Sequence, residues 1–89
     1  MIEVFYQKKF LKDLANLPAN PRKEIEHFVF DILPSINTLA ETGKFEKMSG
    51  YEHFLKVRFG DYRIGAHFYK NSLELRRVLN RKEIYLYFP

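Results

Sequence analysis

The sequence contains no cysteine. That excludes a disulfide framework and any thiolate metal site, and it fits a reducing compartment, where disulfides do not persist. It also lacks an apolar run approaching the ~18 residues of a membrane helix. The opening MIEVFYQKKF has neither the basic start nor the long apolar stretch of a secretory signal. The expectation is a soluble, unprocessed, cytoplasmic chain with no membrane partner. Three histidines, His27, His53 and His67, stand at no metal-ligand spacing, and no His-Glu cluster accompanies them. No metal and no cofactor is therefore expected. There is no internal repeat, low-complexity tract or linker, and 89 residues make one domain, residues 1–89.

What is present is a core. Apolar residues make up 46% of the chain and aromatics 17%, with nine Phe and six Tyr, too hydrophobic for a disordered segment. Fifteen Lys and Arg against eleven Asp and Glu give a net charge of +4. Such a balance favours an anionic partner, either nucleic acid or an acidic protein.

The pattern of apolar residues changes once along the chain. Ile2 to Tyr6 is a short β-prone run. In QKKFLKDLANL, Phe10, Leu11, Leu14 and Leu17 fall on one helical face until Pro18 stops it. A second helix is signed by Asn20 as cap, Pro21 at its first position, and Ile25, Phe28, Val29, Ile32 and Leu33 at helical spacing, with Pro34 ending or kinking it. Asn37 to Gly50 is polar and reads as a connection. Beyond it the period falls to two, and Phe54–Phe59, Tyr62–Tyr69 and Leu73–Leu79 read as strands. The order implies an α+β domain: an N-terminal strand and a helical hairpin packed on a mainly antiparallel sheet of about four strands.

Taking Gly60-Asp61 as a two-residue turn sets Arg58 against Arg63 and Lys56 against Gly65. Alternation then gathers Lys56, Arg58, Arg63 and Gly65 on one face, leaving Leu55, Val57, Phe59, Tyr62, Ile64, Ala66 and Phe68 for the helices. A similar turn at Lys70-Asn71 adds His67 and Arg76 to the polar face. Like charges directly opposite each other destabilise a sheet. Either this is a solvated outer face, or it is a site where a phosphate supplies the missing countercharge. Gly65 beside Lys56 leaves space that suits a concave site or a twist in the strand. In NRKEIYLYFP, Arg81 and Lys82 are followed by Tyr85 and Tyr87, a pairing of phosphate clamps with stacking surfaces suited to single-stranded RNA. The competing reading is a tail whose Ile84, Leu86 and Phe88 fold back onto the core.

The strand LKVRFGDYRIG (Leu55 to Gly65) and the terminal RVLNRKEIY (Arg77 to Tyr85) resemble the RelE/ParE toxin superfamily, and the element order is similar throughout. The resemblance implies a RelE-like fold. It implies a ribosome-dependent endoribonuclease that cuts mRNA in the A site without metal, by attack of the 2′-hydroxyl on the adjacent phosphate. It implies catalytic roles for Lys56 as base, Arg63 as phosphate stabiliser, Arg81 as transition-state stabiliser or acid, and Tyr85 in orienting the nucleotide. Arg58, Arg76, Lys82 and Tyr87 are the expected RNA-binding residues. Arg58 stands where RelE-type enzymes commonly have lysine, and a guanidinium does not surrender its proton. Asn80 stands where several relatives carry a basic residue. Implied partners are a cognate antitoxin, the ribosome and mRNA. The same superfamily includes ParE-type inhibitors of DNA gyrase, and an inactive binding module is a third possibility, since fold alone does not fix function.

Overall fold

The computed structural model describes residues 1–89. Strand β1 (Glu3–Tyr6) leads into helix α1 (Lys8–Ala15) and helix α2 (Ala19–Glu26). The second helix continues as a π-helical segment, His27–Ile32, and a 3-10 turn, Leu33–Ser35. A second 3-10 turn, Leu39–Thr42, precedes β2 (Phe45–Lys47), β3 (Phe54–Phe59), β4 (Tyr62–Tyr69), β5 (Ser72–Asn80) and the one-turn helix α3 (Ile84–Tyr87). The strands form one sheet in the order β1-β5-β4-β3-β2. β1 runs parallel to β5, and every other neighbour is antiparallel.

The expected α+β class is therefore present, with five strands instead of about four. The extra strand, β2, lies in the stretch read as a connection; it is three residues long, and its pairing with β3 creates it. Both hairpin turns fall where expected. Phe59 faces Tyr62 across Gly60-Asp61, and Gly60 takes a positive φ of 56° that suits the first position of such a turn. Tyr69 faces Ser72, with Lys70 and Asn71 both at positive φ, 46° and 68°.

The helices cover one face of the sheet. Phe10 and Leu14 of α1, with Ile25, Phe28, Val29 and Leu33 of the second helix, pack on Val57, Phe59, Ile64, Ala66, Leu73, Leu75 and Val78. Burying a side chain of this size contributes about 1.5–3 kcal/mol, so this layer carries most of the stability. Leu11 does not join the core as its spacing suggests; the core-facing arc of α1 is narrow, and Leu11 stays exposed. Asn20 is not the cap either. The helix begins one residue before it, and the Pro18 carbonyl accepts the Arg22 N–H at 3.0 Å.

The π-helical segment has a local cause and a local remedy. Leu33 N–H reaches back five residues to the Phe28 carbonyl. In that register the Val29 carbonyl would be served by residue 34, which is proline and has no N–H. The hydroxyl of Tyr6 donates to the Val29 carbonyl instead. This ties β1 to the second helix, and burial raises the Tyr6 phenol above its ordinary pKa. On the following connection, the Glu41 carboxylate accepts the N–H groups of Asn37 at 2.8 Å and Thr38 at 2.6 Å, which fixes the 3-10 turn leading to β2.

Candidate functional site

The uncovered face of the sheet is built on the β3–β4 hairpin. Its register sets Lys56 against Gly65 and Arg58 against Arg63, as alternation requires. After β5 the chain turns sharply. Asn80 shapes that turn, accepting the Lys82 N–H on its side-chain oxygen at 2.9 Å and the Glu83 N–H on its carbonyl at 2.8 Å. The Arg81 N–H donates to the Asp61 carbonyl at 2.7 Å, which holds this turn against the hairpin loop. The chain then folds back as α3 and brings Tyr85 over Lys56. The Lys56 ammonium donates to the Tyr85 hydroxyl at 3.3 Å and lies 5.8 Å from the ring centre.

These elements enclose an open cleft of about 390 Å³, lined by Glu46, Lys56, Arg58, Arg63, Arg81, Lys82 and Tyr85. The five cations have little internal compensation. The one ion pair among them is the long contact of Arg81 Nε with Asp61, 3.9 Å, between two exposed side chains, which is worth little in water. The Arg63 guanidinium is turned by the loop, donating to the carbonyls of Gly60 at 2.6 Å and Tyr62 at 2.9 Å. That fixes a cation at the mouth of the hairpin without neutralising it. A concave site with several unneutralised cations and an aromatic ring attracts a phosphate-bearing ligand.

Six of the eight residues singled out from the sequence thus line one cleft: Lys56, Arg58, Arg63, Arg81, Lys82 and Tyr85. The other two lie elsewhere. A register shift between Gly65 and Ala66 pairs Gly65 with Arg77, so Arg76 is the unpaired residue of a bulge. It bridges to Glu74 at 2.7 Å and lies over the Phe54 ring, and its guanidinium holds the Glu74 carboxyl below the usual carboxylate range. Tyr87 covers the guanidinium of Arg77, which in turn bonds Asp13 of α1 through two nitrogens at 2.7 and 3.1 Å. The same carboxylate accepts the Val78 N–H at 3.2 Å and closes the free part of the β5 edge.

Two features escape the sequence pattern. Glu46 enters the cleft because β2 pairs it with Lys56, and no motif marks it. The space left by Gly65 is not part of the cleft. The Phe88 ring occupies it, so closely that a Cβ on Gly65 would lie 2.5 Å from the ring. Phe88, Ile84 and Met48 form a small second core on this face, while Leu86, expected to fold inward, is 75% exposed. His67 pairs with Glu74 and packs near His53, and no three side chains of metal-ligating type converge anywhere in the chain. No helix is long and apolar enough to cross a membrane.

No family profile matches the chain. A curated protein named Toxin RelE3, from Methanocaldococcus jannaschii, is 36% identical over 89 residues, covering 99% of this chain and 100% of that protein. Among solved structures, the RelB–RelE antitoxin–toxin complex from Methanococcus jannaschii superposes with a TM-score of 0.78 at 36% identity, over 96% of this chain and 99% of the other. The isolated RelE toxin of E. coli superposes with a TM-score of 0.66 over 90% of this chain and 84% of the other, but at 17% identity it speaks for the fold alone.

Proposed function

The chain belongs to the RelE family of toxins, and from that premise we propose that it is a ribosome-dependent endoribonuclease that cuts mRNA in the A site. The observation that carries the reading is the clustering of Lys56, Arg58, Arg63, Arg81 and Lys82 with Tyr85 around one cleft. An inhibitor that works by binding gyrase has no need of such a constellation.

In the reaction, the ribose 2′-hydroxyl attacks its neighbouring phosphorus. The 2′-oxygen–phosphorus bond forms, the bond to the 5′-oxygen breaks, and a 2′,3′-cyclic phosphate and a free 5′-hydroxyl result. The step needs an acceptor for the 2′-proton, cations for the charge that builds on the phosphate, and a proton for the leaving oxygen. Arg63, Arg58 and Lys82 supply positive charge, and Arg81 stabilises the transition state or serves the leaving oxygen. Tyr85 orients the nucleotide. Lys56 accepts the proton in its neutral form. A second assignment is favoured by position: Glu46 is the one carboxylate lining the cleft and stands opposite Lys56 across the β2–β3 pair. With Glu46 as acceptor, Lys56 remains an ammonium and stabilises charge. None of these steps calls on a metal ion.

An antitoxin partner follows from the family, because the related M. jannaschii toxin was solved as a complex with its antitoxin. An acidic or amphipathic antitoxin segment would cover the basic face or displace the C-terminal turn. The site of action is the cytoplasm, with its ribosomes.

The test is brief expression in a bacterial host, with primer extension on abundant transcripts for the wild type and Arg81→Ala. Cuts inside translated frames that vanish in the variant are expected. Growth arrest with intact transcripts and broken DNA would replace this reading with gyrase inhibition.

A further inference from the structure

We infer that Tyr51 is a further positioning residue: it forms the far wall of the groove beside the basic cleft, across from Tyr85, and stacks the unpaired nucleobase next to the scissile phosphate. The inference rests on the ribonuclease reading and adds a subsite to it. The groove holds about 250 Å³ and shares Lys56 and Tyr85 with the cleft, so a strand whose phosphate meets the cations has its neighbouring base at the groove mouth. Its character differs from that of the cleft. Met48 and Phe88 form an apolar floor, 7% and 4% exposed, and Ser49 contributes the polar rim.

A nucleobase has apolar faces and a hydrogen-bonding edge, which is what this combination matches. The walls are two large exposed rings, Tyr51 at 48% and Tyr85 at 57%. Tyr51 is a fixed platform, not a loose side chain. Its N–H donates to the Met48 carbonyl at 3.1 Å, and the Met48 N–H donates to the Phe54 carbonyl at 2.9 Å, which pins the loop to β3. One side of the Tyr51 ring meets Phe54 edge-on, with centres 5.8 Å apart at 88°. A ring held on one side and half-exposed on the other loses little freedom when a base stacks on it. A second aromatic groove, around His67 and Tyr69, shares no residue with the cleft, and its Arg76 is already bridged to Glu74.

The experiment uses programmed ribosomes, the full-length toxin and two messengers, one intact and one abasic next to the cut. Tyr51→Ala is expected to raise KM on the intact messenger about fivefold, the low end of what one stacked base contributes, while Tyr51→Phe retains wild-type KM. On the abasic messenger the wild type should lose at least that factor, because the base also leaves Tyr85 and the floor, and Tyr51→Ala should lose nothing more than the wild type does. A merely structural role for Tyr51 would penalise both messengers alike, and that result overturns the inference. So does a Tyr51→Ala enzyme that cuts the intact messenger as the wild type does while Arg81→Ala is inactive; the ribonuclease reading then survives without the subsite. Failure of the wild type to cut either messenger removes both.

Discussion

Gly65→Ala is a single added methyl group whose effect can be worked out from the geometry. Gly65 has no unusual φ, so alanine meets no backbone strain there, and the entire penalty is steric. The new Cβ would stand 2.5, 2.6 and 2.7 Å from three carbons of the Phe88 ring. Carbon atoms pack at about 3.5–4.0 Å, so the ring must retreat by roughly 1 Å or leave its seat. Phe88 belongs to a three-residue cluster separate from the main core, and it is the last anchor of the C-terminal turn. Losing most of its burial costs about 2 kcal/mol, which raises the detached population of the turn roughly thirtyfold. Amide exchange reads this directly. The N–H groups of Leu86 and Phe88, bonded to Glu83 and Ile84, should exchange about that much faster, while Ile64 in the main core is unchanged. Toxicity should fall with it, because α3 carries Tyr85 over Lys56. Phe88→Ala should give the same phenotype, and adding Gly65→Ala to it should cost almost nothing, since the methyl then enters empty space. Additive effects, or unchanged exchange in Gly65→Ala, would refute the reasoning.

Two further perturbations test the scaffold. Tyr6→Phe leaves the Val29 carbonyl without a donor and should lower stability by about 1–2 kcal/mol in urea melts at neutral pH. The wild-type phenol is raised by burial, so its contribution is complete below its unfolded value near 10.0 and is lost as pH rises through the folded value. The variant should lack that alkaline limb. Asp13→Ala strands the half-buried Arg77 guanidinium and frees the Val78 N–H, which should cost about 2 kcal/mol by chemical denaturation.

Legibility of the site in the sequence followed the range of the interactions that build it. Gly60-Asp61 and Lys70-Asn71 are local turn signals, and with period-two alternation they were enough to set Lys56, Arg58 and Arg63 on one face. Arg76 shows where alternation ends. Counting from the Lys70-Asn71 turn pairs it with Gly65, but the bulge adds one residue and Arg77 takes that place. Nothing in LELRRVL marks the extra residue, because both candidates are arginines. Glu46 and β2 were hidden for a different reason. A three-residue edge strand has too few positions to display a period, and its pairing partner lies across the Met48–His53 loop. The π-helical segment depends on Pro34 and on Tyr6, which lies far back in the sequence, and helical spacing alone cannot report such a contact. Gly65 reads as a gap in its strand, but what fills it is Phe88, from the C-terminal turn beyond β5, and no local signal links the two.

The parallel pairing of β1 with β5 sets the order in which a newly made chain can become this protein. Glu3 finds its register opposite Ser72, so β1 waits for β5, made well after it, before it has any neighbour in the sheet. Pairing across so long a stretch is slow to form compared with local turns. The helices, made second, have no finished sheet to lie on until then. Arg81, Lys82 and Tyr85 come later still. The β3–β4 hairpin can gather Lys56, Arg58 and Arg63 early, but the cleft is closed only when the segment beyond β5 folds back over them.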